Sequence, residues 1–146
     1  MSVPKLVVHT DVILDYVLHR QKQPSILRLL MMKFFCYTTV FNAIELFSLA
    51  RNASERRTIE DALGAMKILG LNAKHAKRYG EWFGQVPAVS VIDKLIAGVC
   101  IESRLPLVTG QPHAYRGIKG LKVIHTSLVK DELTAMQIIT RAQVLS

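Results

Sequence analysis

Short apolar runs alternate along this chain with longer stretches in which apolar residues recur every three or four positions. Residues 5–8 (KLVV) form a β-branched run of the kind a buried strand needs. Polar His9-Thr10-Asp11 follows, and then Val12, Ile13, Tyr16 and Val17 fall at helical spacing. The pattern predicts a strand that runs directly into a helix. Pro24, whose fixed φ suits a first helical turn, opens a second predicted helix over 24–33. Residues 34–37 (FFCY) read as a second strand. Thr38 or Thr39 is the expected N-cap of a helix to about Asn52, which carries Glu45 between Ile44 and Leu46.

Residues 54–69 read as an amphipathic helix, with Ile59, Leu63, Met66 and Ile68 inward and Glu55, Arg56, Arg57, Glu60 and Asp61 outward, stopped by Gly70. Asn72 caps a basic helix to about Phe83, and 85–88 form a connector with Pro87. Ser90-Val91-Ile92-Asp93 has the spacing of a capping box and opens a helix to about Glu102. Residues 105–109 (LPLVT) and 121–125 (LKVIH) are strands separated by the turn-forming GQPHAYRGIKG. From Ser127 onward, Leu133, Met136, Ile139 and Leu145 suggest a terminal helix. With no repeat and no linker, the expectation is one domain over 1–126. A helical extension over 127–146 would pack on that domain or on a partner. Strands alternating with helices predict a three-layer α/β fold with a central, mainly parallel sheet flanked by helices, whose ligands gather at the carboxyl ends of the strands.

Composition supports a folded core: 146 residues, half of them hydrophobic, suffice for one domain and exclude a disordered or collagenous chain. Nineteen Lys and Arg against eleven Asp and Glu leave a net charge of +8. Such a balance favours a polyanion partner through phosphate neutralisation, or else marks a basic, soluble surface. Cys36 and Cys100 lie far apart in apolar surroundings without zinc-site spacing, as buried free thiols would. Asp11 and Asp15 interrupt any signal-type apolar region, and the longest uncharged stretch, 34–44, is well short of the about 20 residues of a membrane helix. A cytoplasmic protein with no membrane segment is expected.

Three acids stand in otherwise apolar settings: Asp11, Glu45 and Asp93. A carboxylate there is costly unless it is paired, hydrogen-bonded or bound to a cation. Converging carboxylates suit Mg²⁺ or Mn²⁺, ions that can activate water for phosphodiester hydrolysis. Each acid also has a structural reading, Asp11 and Asp93 as helix caps and Glu45 as a partner for Arg51 or another base. His19, His75, His113 and His125 form no metal-ligand spacing, and no Ser/His/Asp set or phosphate loop is readable. Lys74, Lys77 and Arg78 share a segment with Trp82, a combination that suits single-stranded RNA, or else a solvated helix with Trp82 in the core.

In their order and spacing, LVVHTDVILDYVLHR, TTVFNAIELFSLA, VIDKLIAGVCIESRLPLVTGQPHAY and IKGLKVI resemble the PIN domain, the fold of the VapC-type toxins of toxin–antitoxin pairs. The resemblance covers about residues 5–125. It implies a metal-dependent endoribonuclease that hydrolyses single-stranded RNA at an acidic cluster holding Mg²⁺ or Mn²⁺, an antitoxin partner whose peptide enters that groove, and a homodimer. Glu45 and Asp93 match family acids and are expected to be catalytic and metal-binding. His9 stands at the first acidic position, followed by Thr10 and Asp11, with Asp15 one helical turn on. Asp11 or the His9 imidazole is then the candidate replacement ligand. Gln111 and Ala114 occupy positions where the family usually has Asn or Asp, and Asp. Thr109, Gln111, Lys74, Lys77 and Arg78 are the candidate substrate contacts. These departures carry the alternative of a catalytically degenerate PIN domain that binds RNA or a protein partner without cleaving.

Overall fold

Leu6, Val7 and Val8 are fully buried because the strand they form, β1 (Lys5–Val8), has a parallel neighbour on each side and helices over both faces. The computed structural model describes residues 3–146. On one side of β1 lie β2 (Phe35–Thr39) and then β3 (Lys67–Leu69). On the other lie β4 (Leu107–Thr109), β5 (Lys122–His125) and β6 (Gln143–Val144). All run parallel except β6, which is antiparallel to β5, and Val7 pairs with both Tyr37 and Leu107.

Alternation along β1 divides the core. Leu6 and Val8 pack with Ile13 of α1 (Thr10–Leu18), Leu27 and Leu30 of α2 (Ile26–Lys33) and Ile59 of α4 (Ala53–Gly64). Val7 faces the other way, toward Ile96, Ala97 and Cys100 of α6 (Val91–Ser103). The result is the expected three layers around a mainly parallel sheet. Helix α3 (Val40–Leu49) starts where β2 ends and buries Ala43 and Leu46, while Val40, Ile44, Phe47 and Leu49 remain exposed. Helix α5 (Ala76–Phe83) lies against α6 at Gly98, where a Cβ would come within 2.9 Å of the Tyr79 ring. Only glycine allows that approach without a shift.

Several boundaries differ from the sequence expectation. Pro24 lies outside α2, because the Ser25 hydroxyl accepts the Arg28 amide and caps the helix instead. The predicted 54–69 helix ends at Gly64, and Lys67–Leu69 joins the sheet beside Tyr37–Thr39, whose edge offers free backbone groups. The basic segment begins as a 3-10 turn, Ala73–His75, before α5.

The largest correction concerns the terminal helix. Helical structure there is confined to a 3-10 turn, Thr126–Leu128, and to α7 (Ala135–Thr140), which buries Ile138 against the first core face. The intervening carbonyls of Lys130, Asp131 and Leu133 accept hydrogen bonds from Lys33 Nζ at 3.0, 2.7 and 2.6 Å. Oxygens engaged in this way hold the segment in a turn on the same chain rather than in a long helix.

Cys36 and Cys100 are buried free thiols, and burial pushes the Cys36 thiol up to about 12. Among the described residues no helix is long and apolar enough to cross a membrane. Replacing fully buried Ile13 with Ala is expected to lower the unfolding free energy by about 2–5 kcal/mol through lost burial and a residual cavity. The exposed Met136→Ala should stay within about 0.5 kcal/mol of the parent, both read by urea denaturation.

Candidate acidic site at the carboxyl edge of the sheet

The chain leaves β1 toward β2 on one side and returns as β4 on the other, so the crevice between the carboxyl ends of β1 and β4 is a topological switch point. His9-Thr10-Asp11 emerges there. Asp11 Oδ2 accepts the Gly110 amide at 2.7 Å and the Thr109 hydroxyl at 3.4 Å, while Oδ1 lies 3.2 Å from His9 Nδ1. Burial raises the Asp11 carboxyl, but the hydrogen bonds from His9 and the Gly110 amide and the charge of His9 outweigh it, holding it below the ordinary range. Gly110 makes room for this, since a Cβ would sit 3.1 Å from Asp11 Oδ2.

Glu45 is held by a buried polar chain. The Thr10 hydroxyl donates to Glu45 Oε1 at 2.6 Å and accepts from Asn42 Nδ2 at 2.9 Å. Asn42, fully buried, accepts the Thr39 hydroxyl at 2.7 Å and the Thr39 backbone amide at 3.3 Å on Oδ1, and its own backbone amide donates to Thr39 Oγ1 at 3.1 Å, closing a capping box on α3. Arg51 pairs with Glu55 at 2.7 Å, so Glu45's partner is Thr10 and not the neighbouring arginine.

Asp93 occupies the first turn of α6, where Ser90 accepts its amide at 3.1 Å and donates to its Oδ2 at 2.8 Å. Its Oδ1 lies 4.0 Å from His9 Nε2. The edge of Tyr115 meets the His9 ring at a centroid distance of 5.9 Å. Burial, and after it the Asp93 carboxylate, push the Tyr115 phenol far above its ordinary range. Its hydroxyl and His9 Nε2 are buried side-chain atoms without a hydrogen-bond partner among the described residues.

His9 therefore stands between two carboxylates, Asp11 at Nδ1 and Asp93 at Nε2. Nδ1 also accepts the Asp11 backbone amide at 3.5 Å, capping α1. A hard divalent cation fits poorly, because both oxygens of Asp11 are engaged and the group between Asp11 and Asp93 is an imidazole nitrogen donor and not a carboxylate. Among the described residues no three His, Cys, Asp or Glu side chains gather as a metal-ligating set.

The structure places His9 beside Asp11 and Asp93 and Thr109 against Asp11, and it links Glu45 to the same edge through Thr10. Gln111 donates its backbone amide to Thr109 Oγ1 at 3.1 Å, but its exposed side chain makes no hydrogen bond to the acids. Asp15 turns toward α2, accepting from the Ile26 amide at 3.4 Å. Arg78 contacts Glu102, not the acidic edge, and Lys74 and Lys77 make no ion pair with these acids among the described residues. Asn42 and Tyr115 escaped the sequence reading. Asn42 had left one trace, a polar side chain three residues after a capping threonine in an otherwise apolar helix.

A family model described as PIN domain matches residues 6–116. The chain belongs to the PIN domain family. This PIN domain is also similar in fold to solved toxin–antitoxin structures. VapBC2 from Rickettsia felis, bound to a promoter DNA fragment, gives a TM-score of 0.69 at 18% identity over 83% of this chain and 98% of that one. VapBC-1 from nontypeable Haemophilus influenzae gives 0.66 at 17% identity over 84% and 98%. VapBC-5 from Mycobacterium tuberculosis gives 0.55 at 19% identity over 83% and 98%. No curated protein matches the chain. Truncating Asn42 in this PIN domain to Ala strands buried partners at Thr10 and Thr39. It should cost about 1–3 kcal/mol in urea unfolding.

Proposed function

We propose that this PIN domain is a VapC-type, RNA-directed member of the family that binds single-stranded RNA under the control of an antitoxin-type partner and does not cut RNA by the metal-dependent route. One observation carries the reading. The His9 imidazole lies 3.2 Å from Asp11 and 4.0 Å from Asp93, so a nitrogen donor without negative charge stands where the resemblance puts the family's first carboxylate. Gln111 and Ala114, where the resemblance implies Asn or Asp, and Asp, bring no carboxylate to this edge. The net charge of +8 supports a polyanionic ligand. The toxin–antitoxin complexes among the structural neighbours support a protein partner, and a cytoplasmic site of action goes with both.

A second reading, a Mg²⁺- or Mn²⁺-dependent endoribonuclease, is favoured by the two unpartnered atoms beside Asp93, His9 Nε2 and the Tyr115 hydroxyl. Buried polar atoms without partners call for a water, an ion or a ligand group. In that reading Glu45 and Asp93, with Asp11 or His9, are the ligands.

Incubating the pure protein with end-labelled, mixed-sequence single-stranded RNA in Mg²⁺, Mn²⁺ or EDTA separates the two. Retained salt-sensitive binding without cutting is the expected result, and His9→Asp combined with Gln111→Asn should then create metal-dependent cleavage. Metal-dependent cutting by the native chain, abolished by Glu45→Gln and by Asp93→Asn, would establish the second reading instead. A homodimer is proposed as well, supported by the exposed Val40, Ile44 and Phe47 on α3. Ile44→Glu should convert a dimer to a monomer in size-exclusion chromatography with light scattering, and an unchanged dimer would remove α3 from the interface.

A further inference from the structure

A cavity of about 590 Å³ opens between α5 and α6, at the end of α6 away from the acids. Glu102 on its wall is nine residues beyond Asp93, about 13 Å along the helix. The aromatic side is made by Tyr79 and Trp82, edge to face at 6.4 Å, with Tyr79 seated tightly over Gly98. Cations arrive from three separate elements: Arg78 from α5, Arg104 from the left-handed residue that ends α6, and Lys119 from the turn before β5. Arg78 lies over the Tyr79 ring, 5.6 Å from its centroid.

Among the described residues Glu102 is the only carboxylate lining this cavity, and its contacts are one-sided. His75 Nδ1 at 2.9 Å, Arg78 at 3.2 Å and the Tyr79 hydroxyl all meet Oε2. Oε1 has no hydrogen bond among the described residues. The carboxylate is thus fixed and partly neutralised, with one oxygen left to accept.

Flat aromatic surface, guanidinium and ammonium groups around it, and a single oriented acceptor match the parts of a nucleotide: a base with a π-face and N–H edge, and a phosphate. The volume lies within the range of small-molecule sites. We propose that this cavity binds a nucleotide, either as a free mononucleotide or as one unit of single-stranded RNA. The base packs on Trp82 and Tyr79 with an N–H toward Glu102, and the phosphate rests on Arg104 and Lys119. The site is separate from the acidic edge, and it gives the RNA binding proposed above a definite place.

Trp82 is the sole tryptophan, so the protein's own fluorescence reports on the cavity. The full chain is titrated with GMP, with UMP, with inorganic phosphate and with a short single-stranded RNA. Saturable quenching by a mononucleotide or by the RNA is expected. The double variant Arg104→Asn with Lys119→Gln should weaken it by about tenfold or more through lost phosphate contacts. Asparagine tolerates the left-handed backbone at position 104, and circular dichroism checks that the fold is kept. Glu102→Gln, which keeps the shape and changes the acceptor's charge, should shift the preference between GMP and UMP. Quenching by RNA at much lower concentration than by mononucleotide assigns the site to the polymer, and equal potency assigns it to the free nucleotide. Absence of saturable quenching by both, or quenching that the double variant leaves intact, overturns the proposal. If filter binding still detects RNA in that case, the RNA reading of the protein stands and this location for it falls. A cavity that ignores nucleotides but is covered by a co-purified protein partner would likewise overturn it.

Discussion

A parallel strand with neighbours on both edges and apolar layers on both faces leaves no room for polar chemistry except at its ends. β1 is such a strand, and the three residues after it carry the polar architecture of the carboxyl edge. His9 reaches Asp93 and Asp11, Thr10 reaches Glu45 and Asn42, and Asp11 reaches the end of β4. One tripeptide therefore connects α3, α6 and β4, and its placement follows from the burial of Leu6, Val7 and Val8. The acids meet because the hydrophobic core puts the ends of their elements in one place, not because they attract one another.

This division of labour means that the fold and the site rest on different requirements. The sheet and its two apolar faces depend on volume and burial, which a histidine at position 9 does not disturb. Hard-cation binding depends on summed negative charge, and there an imidazole in place of a carboxylate changes the balance directly. The same ring stays within the hydrogen-bonded edge, 3.2 Å from Asp11 and 4.0 Å from Asp93, so the local geometry accommodates it. Fold and chemistry rest on different residues here and are free to diverge.

Most strands and helix starts were legible in the sequence because their signals are local. The KLVV run, the Thr39 and Ser90 caps and the LVT end of β4 each announce themselves within a few residues. What the sequence misled on depends on distant partners. Met66 and Ile68 continue the helical period of α4, yet Lys67–Leu69 belongs to a strand because β2 presents free backbone groups to it. The tail kept an apolar spacing suited to a helix, yet Lys33, about a hundred positions earlier, claims three of its carbonyls. At the candidate site, Glu45 was offered the nearest arginine in sequence, whereas its bonded partner Thr10 lies 35 positions away. Asp11, Glu45 and Asp93 were readable as acids in apolar settings. The Asn42 bridge and the Tyr115 wall were not, because their meaning lies in what they touch.

The short β6 has a consequence out of proportion to its length. Gln143 pairs with Val123, and the amide and carbonyl of Leu145 bond to Leu121 and Gly120 at 2.8 Å. These few contacts turn β5 from an outermost strand into an interior one. Without them the sheet would end in a row of open backbone donors and acceptors, a ready template for another copy. Residues 143–145 thus cover the edge of β5, and a substitution that breaks their pairing would act on self-association in concentrated solution rather than on the acidic edge.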